Sequence, residues 1–304
     1  MQRFVRHIIL VVCLFLGVEL YAQNDIGISN YMFDEISYNP SFTGEGETFR
    51  ASLLARKQWL GIDGSPLFQT LSIDGKTKSI GGLGLHVVND KIGFENQITA
   101  TVNYSFGVNL GTRSRMSLGF AGGFINRSID EDELVFQNQT IQDPEFGTET
   151  NYMIPTLNVG LQMEIRTFTL GVSATHITNN SLVINNMPRH FYGYAKCRIH
   201  PNGKVVFVPT ALVKYGSDML QFEANTNVYF FNTCWLGASY RTNEAVVALA
   251  GLILKNRIFI GYSYDYNIGD KSRYSSGCHE IFLSWRMRRD PRQKGFYQST
   301  RLFN

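Results

Sequence analysis

The chain has 304 residues, 17% of them charged and 13% aromatic, with 15 Tyr and 22 Phe. Soluble domains carry roughly 25% charged residues, so this balance suits a barrel with aromatic girdles better than a soluble enzyme, although composition alone leaves a soluble β-sandwich open. A formal net charge of +3 is too small to point to nucleic acid.

Residues 1–22 read as a signal peptide. Arg3, Arg6 and His7 form a basic start, Ile8 to Val18 is an uncharged apolar run, and Leu20-Tyr21-Ala22 ends on a small residue, as signal peptidase prefers. Cleavage after Ala22 makes Gln23 the first mature residue. Cys13 lies inside the apolar run, too early for a lipoprotein acceptor. Beyond this run no stretch approaches the ~18 apolar residues of a spanning helix. Residues 23–48 show little alternation and contain Asn39-Pro40 and Gly44, so they read as an ordered periplasmic lead-in or a plug.

The barrel is expected over 49–288. About fourteen segments have strand character, at 49–60, 67–75, 79–89, 95–110, 113–126, 153–165, 167–176, 188–199, 203–215, 218–231, 233–242, 244–254, 257–267 and 278–288. Gln97 to Leu110 alternates without error: Thr99, Thr101, Asn103 and Ser105 on one face, Ile98, Val102, Tyr104 and Phe106 on the other. Gln221, Glu223, Asn225 and Asn227 repeat the pattern against Phe222, Ala224, Thr226 and Val228, and Asp265 and Glu280 sit at polar positions between aromatic and aliphatic neighbours. In a transmembrane strand of about 9–11 residues the apolar set faces lipid and the polar set the lumen. Acidic residues at regular inward positions are hard to place in a soluble sandwich core. Counting upward from a periplasmic N-terminus, the turns near Gly75–Lys78, Gly111–Thr112, Arg166, His200–Asn202, Asn232 and Lys255–Asn256 are short and share the periplasmic side. The long connections 127–152, 177–187 and 268–277 share the other side, as in outer-membrane barrels.

After the last strand, residues 289–304 form a basic tail. Arg288, Arg289, Arg292, Lys294 and Arg301 face Asp290 alone, which suits a solvated extension or a docking tail for a periplasmic partner.

Catalytic signals are weak. His86, His176, His190, His200 and His279 stand alone in sequence, Ser173 and His176 fall on opposite faces of one strand, and no Gly-x-Ser-x-Gly, Walker or His-Glu-x-x-His motif occurs. Cys197, Cys234 and Cys278 have neither disulfide nor metal spacing. No cofactor or metal is expected.

The denser signal is Arg56-Lys57-Gln58-Trp59-Leu60-Gly61 through Pro66, a marked hairpin with Arg56 and Gln58 inward and Trp59 outward at the headgroup belt. Val88-Asn89-Asp90-Lys91-Ile92-Gly93 is a second hairpin. Together with Asn30-Tyr31-Met32-Phe33, Asn39-Pro40-Ser41-Phe42-Thr43-Gly44, Asp143-Pro144-Glu145-Phe146 and Gly277 to Trp285, this ordered series resembles the PorP/SprF family of type IX secretion system membrane proteins. Ser41 replaces that family's usual alanine, and the basic tail is longer than in many relatives.

The resemblance implies a non-enzymatic outer-membrane barrel of Bacteroidota. Its expected role is a receptor or anchor coupling secreted proteins with C-terminal sorting domains, or gliding adhesins, to a periplasmic ring, motor or cell-wall-linked adaptor. The lumen residues Arg56, Gln58, Asn103, Gln221, Glu223, Asn225, Asn227, Asp265 and Glu280 would hold a partner's segment or the chain's own lead-in. Asn39, Pro40, Gly44, Trp59, Asn89 and Asp90 would be motif or plug residues. A diffusion porin or small-solute transporter is the alternative.

Overall fold

The computed structural model describes residues 27–45, 49–77, 81–129, 151–178, 188–202, 204–217, 219–268, 275 and 277–287. The expected signal peptide, the Asp143–Phe146 motif and the basic tail lie outside the described residues.

Every strand pairs antiparallel with its neighbour. In chain order the strands are β1 (Phe49–Lys57), β2 (Leu67–Thr77), β3 (Gly81–Ile92), β4 (Glu95–Asn109), β5 (Ser114–Ile129), β6 (Asn151–Ile165), β7 (Phe168–Thr175) and β8 (His190–Cys197). There follow β9 (Ile199–Asn202), β10 (Val205–Gly216), β11 (Met219–Phe230), β12 (Cys234–Arg241), β13 (Ala245–Leu254), β14 (Ile258–Asn267) and β15 (Cys278–Met287). β15 pairs with β1, and β10 with β11, so the sheet closes on itself. Because β9 continues β8 along β10, the ring has fourteen positions. Closure removes every edge whose N–H and C=O groups would otherwise face hydrocarbon.

The alternation of β4 is realised as expected. Val102 is 62% exposed and Phe106 55%, whereas Thr101 and Asn103, one position away, are 3% and 1%. The exposed apolar set is the lipid face. The short turns gather at one end: 231–233 and 255–257 are three-residue connections whose first two residues, Phe231-Asn232 and Lys255-Asn256, have positive φ, the backbone that a tight hairpin with twisted strands requires. The strand ends that flank the longer connections, Ile129 and Asn151, Thr175 and His190, and Asn267 and Cys278, lie at the other end.

Three local expectations change. The strand expected at 188–199 is interrupted and then continues through Asn202, so His200–Asn202 is strand rather than turn. Thr210 pairs with Lys196 and Phe207 with Ile199, which places Pro209 opposite Cys197. Proline has no N–H to give the ladder, and the pairing lapses there. β3 runs on to Ile92, so Asn89 and Asp90 lie in a strand, with the turn at Gly93 (φ +55°). β1 stops at Lys57, and Trp59 is a half-buried turn residue at φ +47° rather than the end of a strand.

Residues 27–45 run inside the ring. Gly27 lies beside Arg241, at the long-loop end of β12, and Gly44 beside Gly75 and Gly82, at the short-turn end of β2 and β3. The segment therefore threads the length of the lumen. It carries two single-turn 3-10 helices, Glu35–Ser37 and Pro40–Phe42. Its aromatic residues make the apolar core with the inner wall. Phe33 packs on Trp235 and Phe282 with ring centroids 4.9 and 5.2 Å apart, and Tyr38 and Phe42 pack around Tyr194.

Candidate functional site

The polar lumen forms a socket for this segment, in three layers from the long-loop end downward. The first is an ion network assembled from five strands. Arg56 of β1 donates to Asp265 of β14 at 2.8 Å and to Glu280 of β15 at 3.2 Å. Arg241 of β12 donates to Glu223 of β11 at 2.8 Å and lies 3.3 Å from Asp265. The lead-in plugs into this network. Glu280 accepts the backbone N–H groups of Ser29 and Asn30, at 2.9 and 2.7 Å, and the Asn30 side-chain amide at 2.8 Å. Ser29 Oγ donates to Asp265 at 2.7 Å and accepts from Arg56 and Arg241.

These side chains are sealed from water: Arg56, Arg241, Asp265 and Glu280 are all 0% exposed. Buried charges are tolerated only when paired and hydrogen-bonded. With Ser29 and Asn30 in place, the two carboxylates Asp265 and Glu280 each bond both to an arginine and to the lead-in.

The second layer lies one turn along the segment. Asp34 accepts from Ser72 at 2.6 Å and Thr70 at 3.1 Å, with His86 bonded to the same Ser72 at 2.9 Å. Glu35 receives Lys196 at 2.7 Å, and Arg50 donates to Asp74 at 2.7 Å. Asp74 also accepts the backbone N–H of Gly44 at 2.7 Å.

The third layer is a close backbone approach. Asn39 Oδ1 accepts Ser41 N at 3.0 Å and Ser41 Oγ at 2.7 Å, capping the second 3-10 turn, while its amide donates to Leu161 O and Val172 O on the wall. The wall is bare here. A methyl group at Gly160 would stand 1.9 Å from Asn39 Oδ1, one at Gly119 2.2 Å from Ser41 N, and one at Gly82 2.1 Å from Thr43 O. Gly44 leaves this seat at φ +67°, the left-handed region that favours glycine.

The residues expected from sequence thus fall into groups. Arg56, Glu223, Asp265 and Glu280 come together, and Asn39, Pro40 and Gly44 form the lower seat of the lead-in. Asn225 and Asn227 face the lumen and bond to each other at 2.8 Å, and Asn103 accepts from Thr101 at 3.1 Å. Gln221 donates to Glu244 at 2.6 Å near the long-loop rim, and Gln58 is buried with its backbone N–H on Pro66 O. Asn89 bonds Gln69 across the β2–β3 pair, and Asp90 lines a cavity above the lead-in.

Arg241, Arg50, Asp74, Lys196 and the three glycines were not singled out by sequence. Extending the period-two pattern through 233–242 puts Trp235, Ser239 and Arg241 on one face and would have found Arg241. Nothing local marks the glycines, because what they accommodate is a segment about 40–120 residues away in the chain. Among the described residues no group of three or more His, Cys, Asp or Glu could hold a metal ion.

By sequence, none of the curated proteins matches the chain. Three solved barrels share its fold. The CymD monoaromatic hydrocarbon channel is 10% identical, with 89% of this chain and 95% of that chain covered and a TM-score of 0.53. The Ralstonia pickettii toluene transporter TbuX is 8% identical, with 89% and 96% covered and a TM-score of 0.52. A TodX deltaS2S3 mutant monoaromatic hydrocarbon channel is 11% identical, with 83% and 93% covered and a TM-score of 0.50. At such identities the likeness is one of fold. The family model described as type IX secretion system membrane protein PorP/SprF matches residues 20–285. With that match spanning the lead-in and every strand of an outer-membrane barrel, the chain belongs to the PorP/SprF family.

Proposed function

We propose that this barrel is a non-enzymatic anchor or receptor of the type IX secretion or gliding machinery. It would couple secreted proteins with C-terminal sorting domains, or surface adhesins, to a periplasmic ring, motor or cell-wall-linked partner. The long-loop end would face outward and the short-turn end, with the basic tail 289–304, the periplasm, following the usual asymmetry of outer-membrane barrels.

The observation that supports an anchor over a conduit is the filled lumen. Residues 27–45 are tied to at least seven strands (β1, β2, β7, β8, β12, β14 and β15) by an ion pair and hydrogen bonds, so the interior serves to hold a segment in place. A barrel stiffened in this way, with its tail in the periplasm, suits a membrane fixture that bears on other proteins.

Affinity purification of the full chain from membranes under mild detergent tests this role. Recovery of type IX components or an exported cargo is expected; a preparation holding the barrel alone overturns it. A small-solute transporter is the second reading, favoured by a cavity that opens toward the long-loop end and by the barrel's likeness in fold to hydrocarbon channels. Steady ion conductance from the reconstituted wild-type barrel would favour that reading instead.

A further inference from the structure

Above the lead-in the lumen opens into a cup. Its floor is the chain's own segment, where Tyr31, Ile36 and Tyr38 line it. Phe68 of β2 and Val88 of β3 give one apolar part of the wall, and Leu212 of β10 another on the far side. Along the wall between them β4, β6 and β7 present neutral hydrogen-bonding groups, Thr99, Thr101, Asn158 and Thr175. Thr175 Oγ1 is buried, the residue being 3% exposed, and has no hydrogen-bond partner among the described residues. An orphaned buried hydroxyl is unfavourable unless something bonds to it.

The charges around the cup do not favour either sign. Lys214 and Asp90 bring one charge of each sign, and Glu223 is already bonded by Arg241 at 2.8 Å and Ser239 at 2.6 Å. Mostly apolar concave sites with a few convergent polar groups are the usual form of small-molecule pockets.

We propose that the cup binds a neutral small molecule with an aromatic or branched hydrocarbon body and one hydrogen-bonding group. The body lies on Tyr31, Tyr38 and Leu212, and the polar group meets the Thr175 hydroxyl. Because the floor belongs to the lead-in, the site exists only while that segment is seated, and bound ligand stabilises the seated state by linkage. This assignment stands apart from the anchoring role, since it requires no protein partner.

The test uses the full mature chain in lipid nanodiscs with N-phenyl-1-naphthylamine, a neutral aromatic amine that brightens on leaving water. Saturable binding at one site per barrel is expected. Leu212→Trp, which fills the cup from the β10 wall, should weaken it at least tenfold, and Thr175→Val about fivefold. Leu283→Trp, on the lipid face, should leave it unchanged. Heat-modifiable migration checks that each variant is folded, and Thr175→Val serves alone if Leu212→Trp is not. Emission that rises without saturation, or binding that none of the folded cup variants alters, overturns the proposal. An open result in the partner purification would leave it standing.

Discussion

Glu280→Ala separates the wall of the barrel from the seating of its lead-in. The side chain accepts four hydrogen bonds: two from the Ser29 and Asn30 backbone, one from the Asn30 amide and one from Arg56. Its removal leaves two buried backbone N–H groups unsatisfied and Arg56 with Asp265 as its remaining acidic partner. Breaking a buried charge pair from one side costs about 3–5 kcal/mol. The loss falls on docking, because β15 keeps its backbone ladders to β1 and β14. At about 1.4 kcal/mol per tenfold, the ratio of seated to unseated lead-in should drop by roughly two to three and a half powers of ten. In planar bilayers wild-type barrels are expected to be closed and Glu280→Ala barrels to open intermittently. Proteolysis of the same samples should cut 27–45 faster in the variant while the strands persist. A variant that stays closed and equally protected would refute the reasoning that the ion network holds the segment.

Further outcomes follow from the same geometry. Gly160→Ala pushes a methyl group against Asn39 and should cost about 1–3 kcal/mol, the penalty of an overpacked interior, whereas Gly193→Ala, whose added carbon would meet only Val213 at 3.9 Å, should be tolerated; denaturant midpoints of heat-modifiable migration compare the two. Asn39→Ala removes the cap on Ser41 and should lower stability by about 0.5–2 kcal/mol, read from the same midpoints. Leu283→Arg on the lipid face should cost about 2–4 kcal/mol if it lies near the bilayer midplane, measured by refolding into lipid. Deleting 289–304 should leave heat-modifiable migration intact and reduce recovery of periplasmic partners; unchanged recovery would reduce the tail to a solvated extension.

The strands were legible because the bilayer imposes a strict rule on each residue. Asn103 and Val102 are neighbours in sequence, and their exposures of 1% and 62% follow from the two-residue period alone. The same rule pointed Arg56, Glu223, Asp265 and Glu280 inward. It did not reveal which of them meet. Arg56 and Asp265 are 209 residues apart, and they touch because β15 returns to β1. The interruption opposite Pro209 was likewise hidden, since its effect appears on the neighbouring strand.

Sequence by itself determined which side of the wall each strand residue occupies, where most turns fall and which family the motifs resemble, because these depend on neighbours one or two positions away. Only the tertiary structure decided what fills the barrel. A period-two pattern specifies a polar interior but not its occupant. That depends on ring closure bringing five distant strands around Ser29 and Asn30, and on glycines leaving room where Asn39 and Ser41 approach the wall.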